Sequence, residues 1–176
     1  IKALRSMGAK YVDFLVPNRF KHGYGLSPEI FNEAKLEKEP NLIITVDNGF
    51  SSNEGAALAR SLGIDVIITD HHLPPKELPD ANAIINPNLR GCDFPSKNLA
   101  GVGVCFYLFS SLKTHLDSIG YFEKNNIKVP DLRVLLDLVA LGTVADVVKL
   151  DQNNRILVNE GIKRIRQKKC SKGILA

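Results

Sequence analysis

Cysteine is scarce in this sequence. Cys92, Cys105 and Cys170 stand far apart among 176 residues, a spacing that makes neither a disulfide framework nor a zinc site and that fits a reducing compartment. No apolar run approaches the roughly 20 residues of a membrane span, so no membrane partner is expected. Signal-peptide anatomy is missing too: in "IKALRSMGAK", Lys2 and Arg5 interrupt any apolar stretch. A cytoplasmic protein is therefore expected. The same ten residues read as the tail of an amphipathic helix, with the true N-terminus expected upstream. Internal repeats and low-complexity tracts are absent. Histidine is sparse, four in all, yet two of them stand side by side at 71 and 72.

What is present is ordinary globular material. Hydrophobic residues make up 44% and charged residues 24%, enough for one domain with a real core. The net charge of +4 and pI near 9.0 permit a polyanionic partner. Strand-like apolar runs occur at 11–17 (YVDFLVP), 41–47 (NLIITVD), 65–70 (DVIITD) and 82–87 (NAIINP). Between them, Ser27-Pro28-Glu29 opens a helix with a capping serine and a first-turn proline. Ser51 and Ser52 offer a cap for a second helix over 51–62, which ends at Gly63. From Leu99 the pattern turns helical, over about 99–117, 130–142 and 152–166. Residues 118–130 (SIGYFEKNNIKVP) read as a linker, and the tail after Ile165 is basic. Repeated strand, helix, strand predicts an α/β fold, a parallel sheet flanked by helices, with a helical C-terminal part.

Topology then brings chemistry together. Strand 41–47 ends in Asp47, followed by Asn-Gly-Phe, and strand 65–70 ends in Asp70, followed by His71 and His72. One helix joins them, which predicts a right-handed crossover and parallel neighbours about 4.8 Å apart. Asp47 and the Asp-His-His triplet would emerge at the carboxyl edge of the sheet, where open α/β sheets bind ligands. Carboxylate and imidazole there, with Gly49 for a tight turn, suit a divalent ion such as Mn²⁺. Each residue alone has a plainer reading: Asp47 as a turn residue, the histidines as loop features, Arg19 as solvated, and "GVG" at 101–103 as helix-packing glycines.

In combination, "VPNRFKHGYGL", "LIITVDNG", "VIITDHH", "INPN", "LAGVGV" and "LVALGTVADVVKL" occur in an order that resembles RecJ-type single-strand-specific exonucleases of the DHH phosphoesterase superfamily. The resemblance runs over about residues 1–170, taken as a DHH phosphoesterase domain incomplete at its N-terminus. Residues 171–176 would begin a linker to a C-terminal domain. The family's Asp-x-Asp-x-Asp-Gly motif does not occur in these 176 residues, so they are expected to form an incomplete, inactive part of a longer protein.

The resemblance implies a two-metal site for Mn²⁺ or Mg²⁺, with Asp47, His71 and Asp146 as ligands. His72 would face water or phosphate, and Asp70 would orient the histidines. Arg19 would grip phosphate, and His22 lies in the same phosphate- or nucleic-acid-binding motif. Should Asp146 not serve, Asp137 is the next candidate, although it suits a helix face better. The implied activity is metal-dependent, 5′-to-3′ hydrolysis of single-stranded DNA in repair and recombination. A single-strand-binding protein or a helicase would be an accessory partner. Two other readings are open: a pyrophosphatase or small-nucleotide phosphodiesterase on the same metal core, and a non-catalytic DNA-binding descendant.

Overall fold

A computed structural model describes residues 1–23 and 25–175; the side chain of Arg19 is outside what it describes. The chain divides into two compact units, residues 14–97 and residues 1–13 with 98–176.

The unit 14–97 is α/β. Short runs of Ile, Val and Thr give three strands, β1 (Leu42–Val46), β2 (Asp65–Thr69) and β3 (Ala83–Ile85). They pair in parallel in the order β1-β2-β3, with Val46 opposite Thr69 and Thr69 opposite Ile85. Two helices pack on this sheet. In α3 (Pro28–Lys38), which follows the short α1 (Lys2–Ser6) and α2 (Arg19–His22), Ser27 caps the first turn and Pro28 occupies it. The crossover helix α4 (Asn53–Ser61) stops where Gly63 takes φ 75°, which lets the Ile64 N–H return to the Ala59 carbonyl at 3.0 Å. Ile30 and Phe31 of α3, Ala56 and Ala59 of α4, and Val66 and Ile68 of β2 form the core. Complete burial of a side chain such as Phe31 stabilises by about 1.5–3 kcal/mol.

Two expectations fail in this part of the chain. Residues 11–17 form no strand among the described residues; Tyr11, Phe14 and Val16 are exposed. Strand propensity measures fit to a half-buried pleated surface, and this segment has no ladder to fit. Ser52 does not cap α4 with its side chain. Its hydroxyl instead accepts the Leu26 N–H at 2.9 Å and donates to the Asn48 carbonyl at 3.3 Å, stitching loop to loop.

The unit 1–13 with 98–176 is helical. It contains α1, α5 (Gly101–Ser118), α6 (Tyr121–Lys124), α7 (Leu136–Ala145), α8 (Gln152–Arg166) and α9 (Lys172–Leu175). Asp151 caps α8 by accepting the Asn154 N–H at 2.9 Å. Gly161 lets α8 approach α7 closely: a Cβ there would lie 2.2 Å from the Leu136 carbonyl oxygen. The proposed linker 118–130 is packed structure, because it contains α6 and its Phe122 joins Ala3, Met7 and Leu132 in a core. Gly103 lies against Leu99, one turn back at the start of α5. Cys92, Cys105 and Cys170 form no disulfide with one another.

Candidate metal centre

The carboxyl ends of β1 and β2 lie side by side because the ladder continues one residue past each strand. Asp47 N–H donates to the Thr69 carbonyl at 3.0 Å, and Asp70 N–H to the Ile85 carbonyl at 3.1 Å. Asp47 then takes φ 75°, a left-handed conformation for which aspartate is enriched among non-glycine residues. Two residues on, Gly49 is required for close approach. A Cβ there would lie 2.2 Å from Ile68 Cγ2 and 2.6 Å from Thr45 Oγ1. The sequence expectation assigned Gly49 to turn freedom; packing is the reason found.

Asp47, His71 and His72 converge at this edge. His71 Nε2 lies 2.9 Å from Asp47 Oδ1, and the two imidazole rings sit 4.3 Å apart, tilted by 50°. One donor atom from each of the three lies within 4.8 Å of the others. Donors about 2.0–2.2 Å from a shared ion are separated by roughly 3–4.4 Å, so the three fit an ion after small adjustment. One carboxylate oxygen with two imidazole nitrogens is a borderline set that Mn²⁺ accepts. Depth differs across the cluster: the His71 side chain is 11% exposed, those of Asp47 and His72 about half.

Asp70 lies beneath the cluster and is fully buried. Its Oδ2 accepts the Phe50 N–H at 3.0 Å. Its Oδ1 accepts the N–H groups of His71 at 2.7 Å and His72 at 3.1 Å, and faces His72 Nδ1 at 2.7 Å. Burial works to raise this carboxyl, but the hydrogen bonds from His72, Phe50 and His71 outweigh it and hold the group below the usual carboxylate range. An ionised carboxylate only accepts, so His72 Nδ1 carries a hydrogen toward it.

Sequence reasoning gave no role to the two asparagines of "INPN", which hold the histidine backbone. Asn86 Nδ2 donates to the His72 carbonyl at 2.8 Å, and Asn88 Nδ2 to the His71 carbonyl at 2.7 Å. Asn86 Oδ1 in turn accepts the Asn88 N–H at 2.7 Å. The Lys97 ammonium closes the loop around them through the carbonyls of Pro87 at 2.7 Å and Cys92 at 2.6 Å. The available signal was two carboxamides flanking a proline directly after a strand, a local pattern built for bonding to backbone.

The other named residues belong to other elements. Asp146 belongs to the helical unit, where it closes α7, and the next residue, Val147, breaks the helix with φ 57°. Asp137, expected on a helix face, is buried in the first turn of α7, and its Oδ2 accepts the Ser171 N–H at 2.6 Å. That contact makes it an anchor for the C-terminal turn. Arg19 opens α2; the expectation for its side chain falls outside the described residues. His22, expected to touch phosphate, is buried with both ring nitrogens facing protein partners. Direct contact with a phosphate would require it to release one of them.

Residues 1–143 match the family described as "DHH family, N-terminal domain". Over 176 residues the chain is 61% identical to the single-stranded-DNA-specific exonuclease RecJ of Escherichia coli (strain K12), covering all of this chain and 30% of that protein. It is 44% identical over 167 residues to the RecJ of Bacillus subtilis (strain 168), covering 95% of this chain and 19% of that one. A crystal structure of exonuclease RecJ bound to manganese superposes with a TM-score of 0.73 at 34% identity, covering 94% of this chain and 39% of that chain. The chain thus spans less than a third of the length of these two curated relatives.

Proposed function

The chain belongs to the DHH family, and from that membership we propose that it serves a metal-dependent, single-stranded-DNA-specific exonuclease. The enzyme hydrolyses phosphodiester bonds from the 5′ end, in DNA repair and recombination. One observation carries the reading: the Asp47–His71–His72 cluster lies in a chain that is 61% identical, over its 176 residues, to 30% of a single-strand-specific exonuclease.

In this reading Asp47 and His71, with Asp146, hold Mn²⁺ or Mg²⁺. The bound metal, as a pair of ions in the whole protein, supplies Lewis acidity toward the phosphoryl oxygens and makes water a stronger acid. With Asp146 in place as the third ligand, His72, its Nδ1 facing Asp70, would keep Nε2 for the attacking water rather than for the ion, and could accept its proton. Asp70 fixes the tautomer and tilt of His72 without binding metal itself. Arg19 grips the phosphate through the planar fork of its guanidinium. A single-strand-binding protein or helicase that delivers the strand, and a cytoplasmic location, belong to the same proposal. No helix among the described residues is long and apolar enough to cross a membrane.

The test is a hydrolysis assay on the full-length protein with end-labelled single-stranded DNA, duplex DNA, a dinucleotide and pyrophosphate. The expected result is Mn²⁺-dependent release of label from the 5′ end of the single strand, abolished by chelation and by His71→Ala. Turnover of pyrophosphate or dinucleotide without strand digestion would transfer the protein to the small-substrate members of the superfamily. Strand binding without any hydrolysis would make it a binding module.

A further inference from the structure

The fourth residue of α2 is a histidine whose ring the cluster at the sheet edge does not use. The His22 side chain is 4% exposed. Its Nδ1 accepts the Asn18 N–H at 3.2 Å, so the hydrogen of a neutral ring sits on Nε2, which lies 3.0 Å from Glu33 Oε2. Both nitrogens are therefore turned toward protein atoms inside the fold.

Those two contacts connect very different parts of the fold. Glu33 is on α3, a helix fixed in the core by Ile30 and Phe31. The other end of the link is a single helical turn. An isolated turn of four residues does not hold itself together, because nucleation orders several residues for each hydrogen bond formed. Here Asn18 closes it locally: its Oδ1 caps the Phe20 N–H at 3.0 Å, and its carbonyl accepts from Lys21 at 2.9 Å and His22 at 2.7 Å. Among the described residues the Glu33 side chain, through His22 and through Lys21 Nζ at 3.1 Å, ties the turn to α3. Arg19 is the first residue of this turn.

We propose that His22 is a positioning residue that acts on the substrate through Arg19, by bolting the turn that carries Arg19 to α3. This rests on the reading of Arg19 as the phosphate grip. Misplacement of a binding group by about 1 Å can lower turnover by about a hundredfold. Loss of the bolt should therefore be felt at the phosphate even though His22 never touches it.

A double-mutant cycle in the full-length protein separates the possibilities. His22→Ala should reduce kcat/KM on single-stranded DNA by roughly 10–100-fold. In an Arg19→Lys background, whose grip is already compromised but whose activity remains measurable, the same change should cost less than about twofold. Glu33→Gln, which weakens the bolt from the far side, should show a smaller loss with the same dependence on Arg19 and covers the case in which His22→Ala fails to fold. Losses that multiply independently of Arg19 would overturn the proposal, since His22 would then act by itself. Absence of strand hydrolysis by the unaltered protein would overturn the functional reading and this inference with it. Hydrolysis with independent losses sinks the inference alone.

Discussion

Oδ1 of Asp70 lies 2.7 Å from Nδ1 of His72 and also accepts the backbone N–H of the same residue at 3.1 Å. One buried oxygen therefore fixes both the main chain and the ring of its neighbour. Asp70→Asn removes the charge and turns an amide N–H₂ toward one of the donors that now point at the carboxylate. Partners behind a metal ligand typically influence affinity or activity by about 10–100-fold. We expect a loss of that size in Mn²⁺ affinity, read by titration calorimetry. Unchanged affinity would mean that Asp70 does not govern the cluster.

The asparagine pair should behave as one device. Asn88→Ala leaves the His71 carbonyl without its donor and cuts a contact with the Lys97 carbonyl at 3.2 Å. A neutral hydrogen bond of this kind contributes about 0.5–1.5 kcal/mol to stability. Thermal unfolding should therefore shift only slightly, while turnover falls by about tenfold or more as the His71 backbone relaxes. A loss of stability with full activity would confine Asn88 to folding.

Gly49→Ala tests close packing between the two strand ends. The new methyl would have to displace the side chains of Ile68 and Thr45, in a core where overpacking typically costs about 1–3 kcal/mol. The midpoint of denaturant unfolding should drop accordingly, with no change in m if the unfolded state is unaltered.

Asp137 gives a pH dependence with a definite sign. Burial works to raise its carboxyl, but bonding from Ser171, backbone first, and the charge of Lys2 overcome that and hold it below its ordinary value. A carboxyl depressed in the folded state stabilises fully above its unfolded pKa of about 3.9 and loses that contribution as pH falls through the folded value. Asp137→Asn keeps an acceptor for Ser171 but not the charge. The stability gap between the parent and this variant should thus be constant from about pH 5 to 8 and close below about pH 4.

Much of this was legible in the order of residues. β1, β2 and β3 stand within one or two residues of their predicted bounds, since short runs of Ile, Val and Thr ended by polar residues admit few other conformations. α8 begins and ends where its helical pattern predicts, and Asp151 caps its first turn. Residues 11–17 misled because strand character depends on a partner. Residues 118–130 misled because their polar majority hides Phe122, whose burial is decided by residues far away in the chain. Asp47, His71 and His72 could be placed together from strand order alone. The roles of Asn86, Asn88 and His22 could not, since each depends on a side chain reaching a particular backbone or side-chain atom that spacing does not reveal.

The groups that hold the Asp47–His71–His72 cluster, Phe50, Asp70, Asn86, Asn88 and Lys97, all come from one continuous stretch of chain. None of these bonds waits for a distant segment to be synthesised, so this edge can assemble on a nascent chain as soon as Lys97 has emerged. The same economy makes the edge a single cooperative unit toward solvent exchange. Opening β3 from β2 would break the Asp70 N–H bond to Ile85 and the asparagine contacts in one event. The Asp70 amide should accordingly exchange with deuterium at the free energy of that opening, and an ion bound to the cluster should raise it.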